Sequence, residues 1–364
     1  MLERAEQIIK NTDPAKPFYL HFATTLPRKA DEYNRGALFN MPQFQLRPAV
    51  RTLLNDTWIE RKKELAQIQS VDDQIGRLTS ALKEKGILEN TIIIFMSDNG
   101  APDLSNFDKD AINHGSNWPL RMGKTNYFEG GIRVPCFIWY PQLKYRGYVS
   151  HRLMHMTDWL PTLYEAAGGS QANLAKYDLS GVSHWSNFKR GIDRPGPRRE
   201  MVNTIEKVGK QYAIIEEDQC SGNYFKLLGG EMFGRDRSFI GWVRTEGTSD
   251  KKPMKTFTPT QVDCGQSPAG KEVTACVPWV RDCLFDITND PCETRNLAAV
   301  FPRILSRLQD KLKAYNATAV KANNVPVDPK SNPSLWDGWW VPWQDANPIP
   351  ETAAFTPFSL SSSY

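Results

Sequence analysis

The sequence holds no run of about 18 apolar residues, so nothing in it reads as a membrane-spanning helix. It also lacks a block of like charge: 45 basic and 41 acidic residues are interspersed along the chain, for a net charge of +4. That mixture argues against a nucleic-acid partner. No two cysteines stand in CxxC spacing, which leaves a zinc site without support. Internal repeats are absent. Residues 1–20 contain no apolar core of the kind a secretory leader carries, and open instead on an amphipathic helical pattern from Leu2 to Lys10.

What is present is a globular composition. The 364 residues are 40% hydrophobic and 24% charged, with a mean hydropathy of -0.50, enough for one large domain and a smaller one. Five of the six cysteines fall between Cys220 and Cys292, a cluster that suggests local disulfides in an oxidising compartment. Glycosylation triplets at Asn55-Asp56-Thr57 and Asn316-Ala317-Thr318 lean the same way, towards a lysosomal or secreted location. A secretory chain with no leader is expected to be the later portion of a longer protein.

The order of elements can be read from periodicity. The first helix should stop near Asn11-Thr12-Asp13-Pro14, where proline and its neighbour resist helix. Phe18 to Ala23 reads as a buried strand. Thr57 to Lys85 is the clearest helix, with Leu65, Ile68, Val71, Ile75, Leu78 and Leu82 recurring every three or four residues, and Gly86 at its end. Thr91 to Ser97 and Arg133 to Tyr140 are continuous apolar runs, the pattern of strands inside a helix-covered parallel sheet. Asp158 to Ala167 reads as a helix closed by Gly168-Gly169. Alternating helix and buried strand predicts a layered α/β domain over residues 1–180. From 181 to 364 shorter strands (Gln211 to Ile215, Tyr224 to Leu228, Cys283 to Ile287), a helix from Phe301 to Ala314 and a Pro/Trp-rich tail predict a small α+β subdomain with an antiparallel sheet. Cys283 and Cys292 bracket a turn-forming Asp-Ile-Thr-Asn-Asp-Pro stretch and are expected to pair, whereas Cys136, in an apolar strand, should be a buried free thiol.

Two stretches could carry chemistry. Ser97-Asp98-Asn99-Gly100 follows a strand, at the end where open α/β sheets bind ligands, and a carboxylate beside a carboxamide suits a hard cation. The same triplet is also favoured turn chemistry. Lys124, in a glycine-rich stretch before the next strand, could aim a point charge at an anion, or could simply be a solvated loop lysine. His155 reads as structural, on the edge of an amphipathic helix.

Several motifs in order resemble the sulfatase family: Phe95-Met96-Ser97-Asp98-Asn99-Gly100, Asn117-Trp118-Pro119-Leu120-Arg121 with Lys124, Glu129-Gly130-Gly131-Ile132-Arg133-Val134-Pro135, and Leu153 to Leu163. Cys283 to Ile287, Asp290-Pro291-Cys292-Glu293, Asn296-Leu297 and the Trp336 to Trp343 region resemble its arylsulfatase B branch. The resemblance implies an alkaline-phosphatase-like α/β sandwich with a central mixed sheet, and hydrolysis of an aryl sulfate or sulfated sugar. It implies one Ca²⁺ held in part by Asp98 and Asn99, with Lys124 on the sulfate. Such enzymes use a formylglycine made from cysteine in Cys-x-Pro-x-Arg, and no cysteine here stands in that motif. Cys276-Val277-Pro278-Trp279-Val280-Arg281 comes nearest, with its arginine one place late. Where the family has a histidine facing the sulfate, this sequence has Thr25. The 364 residues alone are therefore expected to be inactive, and a non-catalytic homologue that keeps the fold as a binding module is the alternative.

Overall fold

The computed structural model describes residues 1–27, 59–102, 115–191, 195–206, 210–231, 240–244, 254–256, 275–320 and 327–336, with single positions at 47, 262, 264, 341, 343 and 344. The Asn55 triplet lies outside the described residues, as does part of the Trp336 to Trp343 stretch.

Helix α1 (Leu2–Asn11) packs on α2 (Ile59–Glu84) because each has one apolar face. Ile9 is buried against Ala81 and Leu82, and Leu20, Leu78, Ile87 and Ile93 close the cluster. Of the expected stripe on α2, Val71 and Leu82 are buried but Ile68 is exposed; Ala66 faces inward instead. Gly86 ends α2 in a left-handed conformation (φ 77°). Its N–H donates to Lys83 O (2.9 Å), and the Ile87 N–H donates to Leu82 O (3.1 Å), which satisfies carbonyls the helix leaves open. Phe18 to Ala23 is extended but forms no strand. Its alternating exposure turns Leu20 and Phe22 inward and leaves His21 out.

Strand β1 (Ile93–Met96) pairs with β2 (Cys136–Trp139), with Ile93 opposite Trp139 and Met96 opposite Cys136. The pairing is antiparallel, which corrects the expected parallel setting: among the described residues these two strands form a separate two-stranded sheet. Between them lies the short α3 (Glu129–Ile132). Ile138 and Ile92 pack towards Trp185 and Phe188, in a cluster joined by Trp159 of α4 (Trp159–Ala166). Short helices α5 (Gln171–Leu174) and α6 (Trp185–Arg190) follow. Cys136 is a free thiol, as expected, but exposed, at the first position of β2.

The larger sheet joins β3 (Glu200–Ile205), β4 (Gln211–Glu217), β5 (Tyr224–Gly230) and β8 (Cys283–Asp286) in that spatial order, every pair antiparallel. Side chains alternate across it with a period of two. Ala213, Ile215, Tyr224, Leu228 and Phe285 face Met122 and Phe128. Ile214, Phe225, Leu227 and Leu284 face Leu308 and Leu312 of α7 (Pro302–Thr318). Proline at the first helical position of α7 forfeits no helical hydrogen bond. A small ribbon, β6 (Trp242–Arg244) and β7 (Met254–Thr256), completes the strands.

The disulfides are Cys264–Cys292 and Cys276–Cys283, not Cys283–Cys292. The chain returning from the turn after β8 meets Leu284 with Asn296 and Leu297: Leu297 N–H donates to Leu284 O (2.7 Å) and Leu284 N–H to Asn296 Oδ1 (3.0 Å). Cys292 thus stays out in the intervening loop, while Cys283 turns into the cluster that holds Cys276. Met1–Ala317 forms one compact unit and Thr318–Tyr364 a second. The second contains two short 3-10 turns, capped by the Asp328 and Asn332 side chains, with Trp336 Nε1 donating to Lys330 O (2.7 Å).

Candidate active site

At the end of β1 the chain turns through Ser97–Gly100 and is fastened to the glycines of α3. Gly100 N–H donates to Gly131 O (3.0 Å), and Gly130 N–H donates to Arg121 O (2.9 Å). These approaches require glycine. A Cβ on Gly100 would sit 1.7 Å from Gly130 O, and one on Gly130 would sit 2.2 Å from Met122 O. Asn117 bridges the two strips: its Oδ1 accepts from Ala101 N–H (2.8 Å), and its Nδ2 donates to Ala101 O (2.8 Å) and Met122 O (2.9 Å). Lys124 N–H donates to Ala101 O (3.0 Å), and Lys124 pairs with Pro102 as a parallel bridge. The backbone therefore sets Lys124 beside the residues that directly follow Asp98 and Asn99.

The side chains of Asp98 and Lys124 are exposed, and Asn99 is half-buried. Asp98 Oδ1 accepts from Asn99 N–H (2.9 Å), and Asn99 Nδ2 donates to Gly100 O (2.9 Å). Among the described residues no cluster of three or more His, Cys, Asp or Glu is placed to hold a metal. Asp98 and Asn99 offer hard oxygens that fit a cation such as calcium, but as a partial shell. Thr25 is exposed, on the extended segment ahead of the cis Leu26–Pro27 bond. Thr24 Oγ1 accepts from Leu26 N–H (3.3 Å), and no described contact joins Thr25 to the Asp98 turn.

Behind this exposed surface lies a buried charge cluster that the sequence did not single out. Lys226 of β5 is fully buried, with Nζ 3.0 Å from Glu129 Oε1 and 2.8 Å from Glu293 Oε1. Glu293 Oε2 accepts from the Glu129 backbone N–H (2.6 Å). Arg133 Nε donates to Glu129 Oε2 (2.6 Å). Burial pushes both carboxyls towards the neutral form. For Glu129, the charges of Lys226 and Arg133 outweigh burial and hold its pKa below the usual value. For Glu293, burial wins, Glu129 adds repulsion, and the pKa rises to about 7 despite Lys226. Arg121 donates to Glu293 O (3.0 Å) and Ile240 O (2.8 Å) and stacks on Phe128 and Trp242. Burial lowers its pKa to about 10. The available signal was a lysine inside the otherwise apolar run Tyr224 to Leu228.

A second cluster surrounds Asp158, buried ahead of α4. It accepts from Arg198 Nε (2.8 Å) and Nη2 (2.5 Å), from His155 N–H (2.8 Å) and from Val182 N–H (2.8 Å), and lies 3.3 Å from His184 Nε2. Burial works against ionisation, but these donors together hold the Asp158 pKa well below the usual range. His155 caps the short 3-10 turn at Met156–Asp158, consistent with the structural reading.

Residues 1–170 match the model of the Sulfatase family. Over 359 residues the chain is 31% identical to "Arylsulfatase J" of Mus musculus, covering 94% of this chain and 52% of that protein. "N-acetylgalactosamine-6-sulfatase" of Mus musculus is 39% identical over 101 residues, 28% of this chain and 19% of its own length. Among solved structures, that of Ps i-CgsB superposes with a TM-score of 0.53 at 21% identity, covering 86% of this chain and 54% of that one. The same protein has been solved in complex with k-i-k-neocarrahexaose, again at a TM-score of 0.53. The fold is thus the mixed α/β, alkaline-phosphatase-like class, with antiparallel pairing in each described sheet. The chain spans about half the length of the full-coverage relative and of the superposed structures.

Proposed function

From the match of residues 1–170 to the Sulfatase family model, we infer that the protein hydrolyses sulfate esters, on an aryl sulfate or a sulfated sugar. The observation that carries this reading is the fastening of the Asp98 turn to α3, with Lys124 laid alongside Ala101 and Pro102. In this reading Asp98 and Asn99 contribute to holding Ca²⁺, which when bound would neutralise charge on the sulfate oxygens. The Lys124 ammonium adds a second positive charge to the same group and orients it, with no proton transfer required. Asn117 keeps the two backbone strips in register, which fixes Lys124 relative to the Asp98 turn. The covalent step needs a nucleophile that the motifs of these 364 residues do not contain, so we expect them to be inactive alone.

Within the family we place the chain on the arylsulfatase B-like side, on its Asp290-Pro291-Cys292-Glu293 and Asn296-Leu297 motifs. Residues 1–180 would then belong to the sulfatase α/β domain and 181–364 to its C-terminal subdomain. A lysosomal or secreted location is supported by two disulfides and by Asn316, which is exposed near the end of α7. Thr25 favours a second reading, a non-catalytic homologue: it is exposed and cannot carry charge where the family has a histidine. The test is turnover of a chromogenic aryl sulfate, with calcium, by the product of the complete gene. Activity lost in Lys124→Ala supports hydrolysis, whereas inactivity of a folded product supports the binding module.

A further inference from the structure

The residues that shape the Asp98 turn from behind do not all lie near it in sequence. Gly130 and Gly131 receive the turn, and Glu129, the residue before them, is fixed from the far side by Lys226 and Glu293. Lys226 is on an inner strand of the four-stranded sheet, on the face towards Phe128. Glu293 adopts positive φ (55°) next to Cys292, whose disulfide to Cys264 and whose carbonyl, accepting from Trp242 Nε1 (2.9 Å), hold that loop in place. Arg121, which receives Gly130 through its carbonyl, is clamped to the same loop through Glu293 O. Glu129, Lys226, Glu293 and Arg121 are all buried, whereas the side chains of Asp98 and Lys124 are exposed.

We propose that Lys226 and Glu293 are positioning residues, which set the geometry of the Asp98, Asn99 and Lys124 surface by fixing the backbone of Glu129–Gly131. The inference rests on reading that surface as the sulfate site, and it assigns the C-terminal sheet a part in the site's shape. A fold that needed only hydrophobic cohesion here would do as well with apolar residues, since a buried charge cluster seldom adds net stability over them. What charge adds is direction. One ammonium shared by two carboxylates, with a 2.6 Å bond from Glu293 to the Glu129 N–H, admits a single placement of that peptide. The groups facing Glu293 are Lys226, Glu129, Arg121 and Asp290, with Arg133 on the outer side of Glu129. Its raised pKa means that the proton favours the closed junction. The junction should therefore weaken as pH climbs through about 7.

The experiment is hydrogen–deuterium exchange of the full chain, read on peptides covering 97–102 and 117–131 and on peptides of β4 and β5. With Lys226→Met we expect site peptides to exchange at least tenfold faster while sheet peptides stay within twofold, and Lys226→Arg to recover part of the protection. Glu293→Ala, which removes both the contact with Lys226 and the acceptor for the Glu129 N–H, covers the case in which Lys226→Met does not fold. In the wild type the site's protection should fall at least threefold relative to the sheet between pH 6 and pH 8, and in Glu293→Gln it should stay flat. Uniform loosening of site and sheet, or unchanged site peptides in Lys226→Met and Glu293→Ala, would overturn the proposal. The measurement contains no sulfate, so absence of aryl sulfate turnover would strike the sulfatase reading and leave this coupling standing.

Discussion

The two main sheets of this chain use similar residues and end in different surroundings. β1 and β2 read Ile-Ile-Phe-Met and Cys-Phe-Ile-Trp, yet Phe137 is 49% and Trp139 37% exposed, with Phe95 and Phe137 stacked at 5.4 Å. Leu227, Leu284 and Phe285 of the larger sheet are fully buried. Residue type does not explain the contrast; strand number among the described residues does. In a two-stranded ribbon both strands are edges, and helices packed on either side reach some of its rings only. In the four-stranded sheet, β4 and β5 are inner strands, so α7 covers one face and the Met122–Phe128 segment the other. An apolar strand sequence therefore reports a tendency to pair, not how many neighbours it will find.

The sharpest way to break that comparison is to empty each sheet in turn. Leu284→Ala should cost about 2–5 kcal/mol, the range for a buried leucine whose neighbours relax only in part. Phe137→Ala should cost below about 1 kcal/mol, as expected for a largely exposed side chain. Urea midpoints of the two variants decide it, and equal losses would mean the ribbon is covered in solution. Next in size is Gly100→Ala, at about 1–3 kcal/mol for forced overpacking, because its Cβ must displace the Gly130 carbonyl. That loss would show that the segment after β1 owes its rigidity to backbone contact with α3, and not to the ribbon. A Gly100→Ala midpoint matching wild type would contradict it.

How much of this was legible in sequence follows from the range of each interaction. Helices α1, α2, α4 and α7 and strands β1, β2, β4, β5 and β8 were readable because their pattern is local, whereas β3 was not singled out. The antiparallel setting of β1 was not readable, because apolarity on both faces says nothing about strand direction. The glycine-rich motif was read only as a setting for Lys124, and the structure adds the close approach of its glycines to Gly100. The Glu129–Lys226–Glu293 cluster joins residues from three distant segments, so only Lys226, a charge in an apolar run, hinted at it. The disulfide expectation failed for a similar reason. It treated Cys283 to Cys292 as a symmetric hairpin, whereas the return strip meets Leu284 four residues later, at Asn296.

Asp158 allows a test of the join between the two regions, since it precedes α4 while its partner Arg198 leads into β3. A carboxyl whose pKa is depressed in the folded state contributes stability that is present above its unfolded value, near pH 4, and lost as pH falls. The melting temperature of the wild type should thus drop more between pH 6 and pH 3 than that of Asp158→Asn. The variant should be the less stable of the two at pH 6, because Arg198 then lacks its bidentate partner. Parallel pH profiles would show that the cluster is not what acid disrupts.

The smallest effect should come from Cys136, and it probes the exposed start of β2 directly. Four of the six cysteines are paired, leaving Cys136 and Cys220, both exposed. A maleimide reagent should therefore label both thiols on the native chain without reductant. The two need not react alike. Partial burial of the Cys136 sulfur raises its pKa, so less of it is thiolate at neutral pH. Its labelling should be slow at pH 7 and quicken towards pH 9. Cys136→Ser should shift stability by no more than about 0.5–1 kcal/mol, because the side chain has little packing to lose. If Cys136 labels only after denaturant is added, the start of β2 is covered in solution, and the ribbon is less open than its two strands imply.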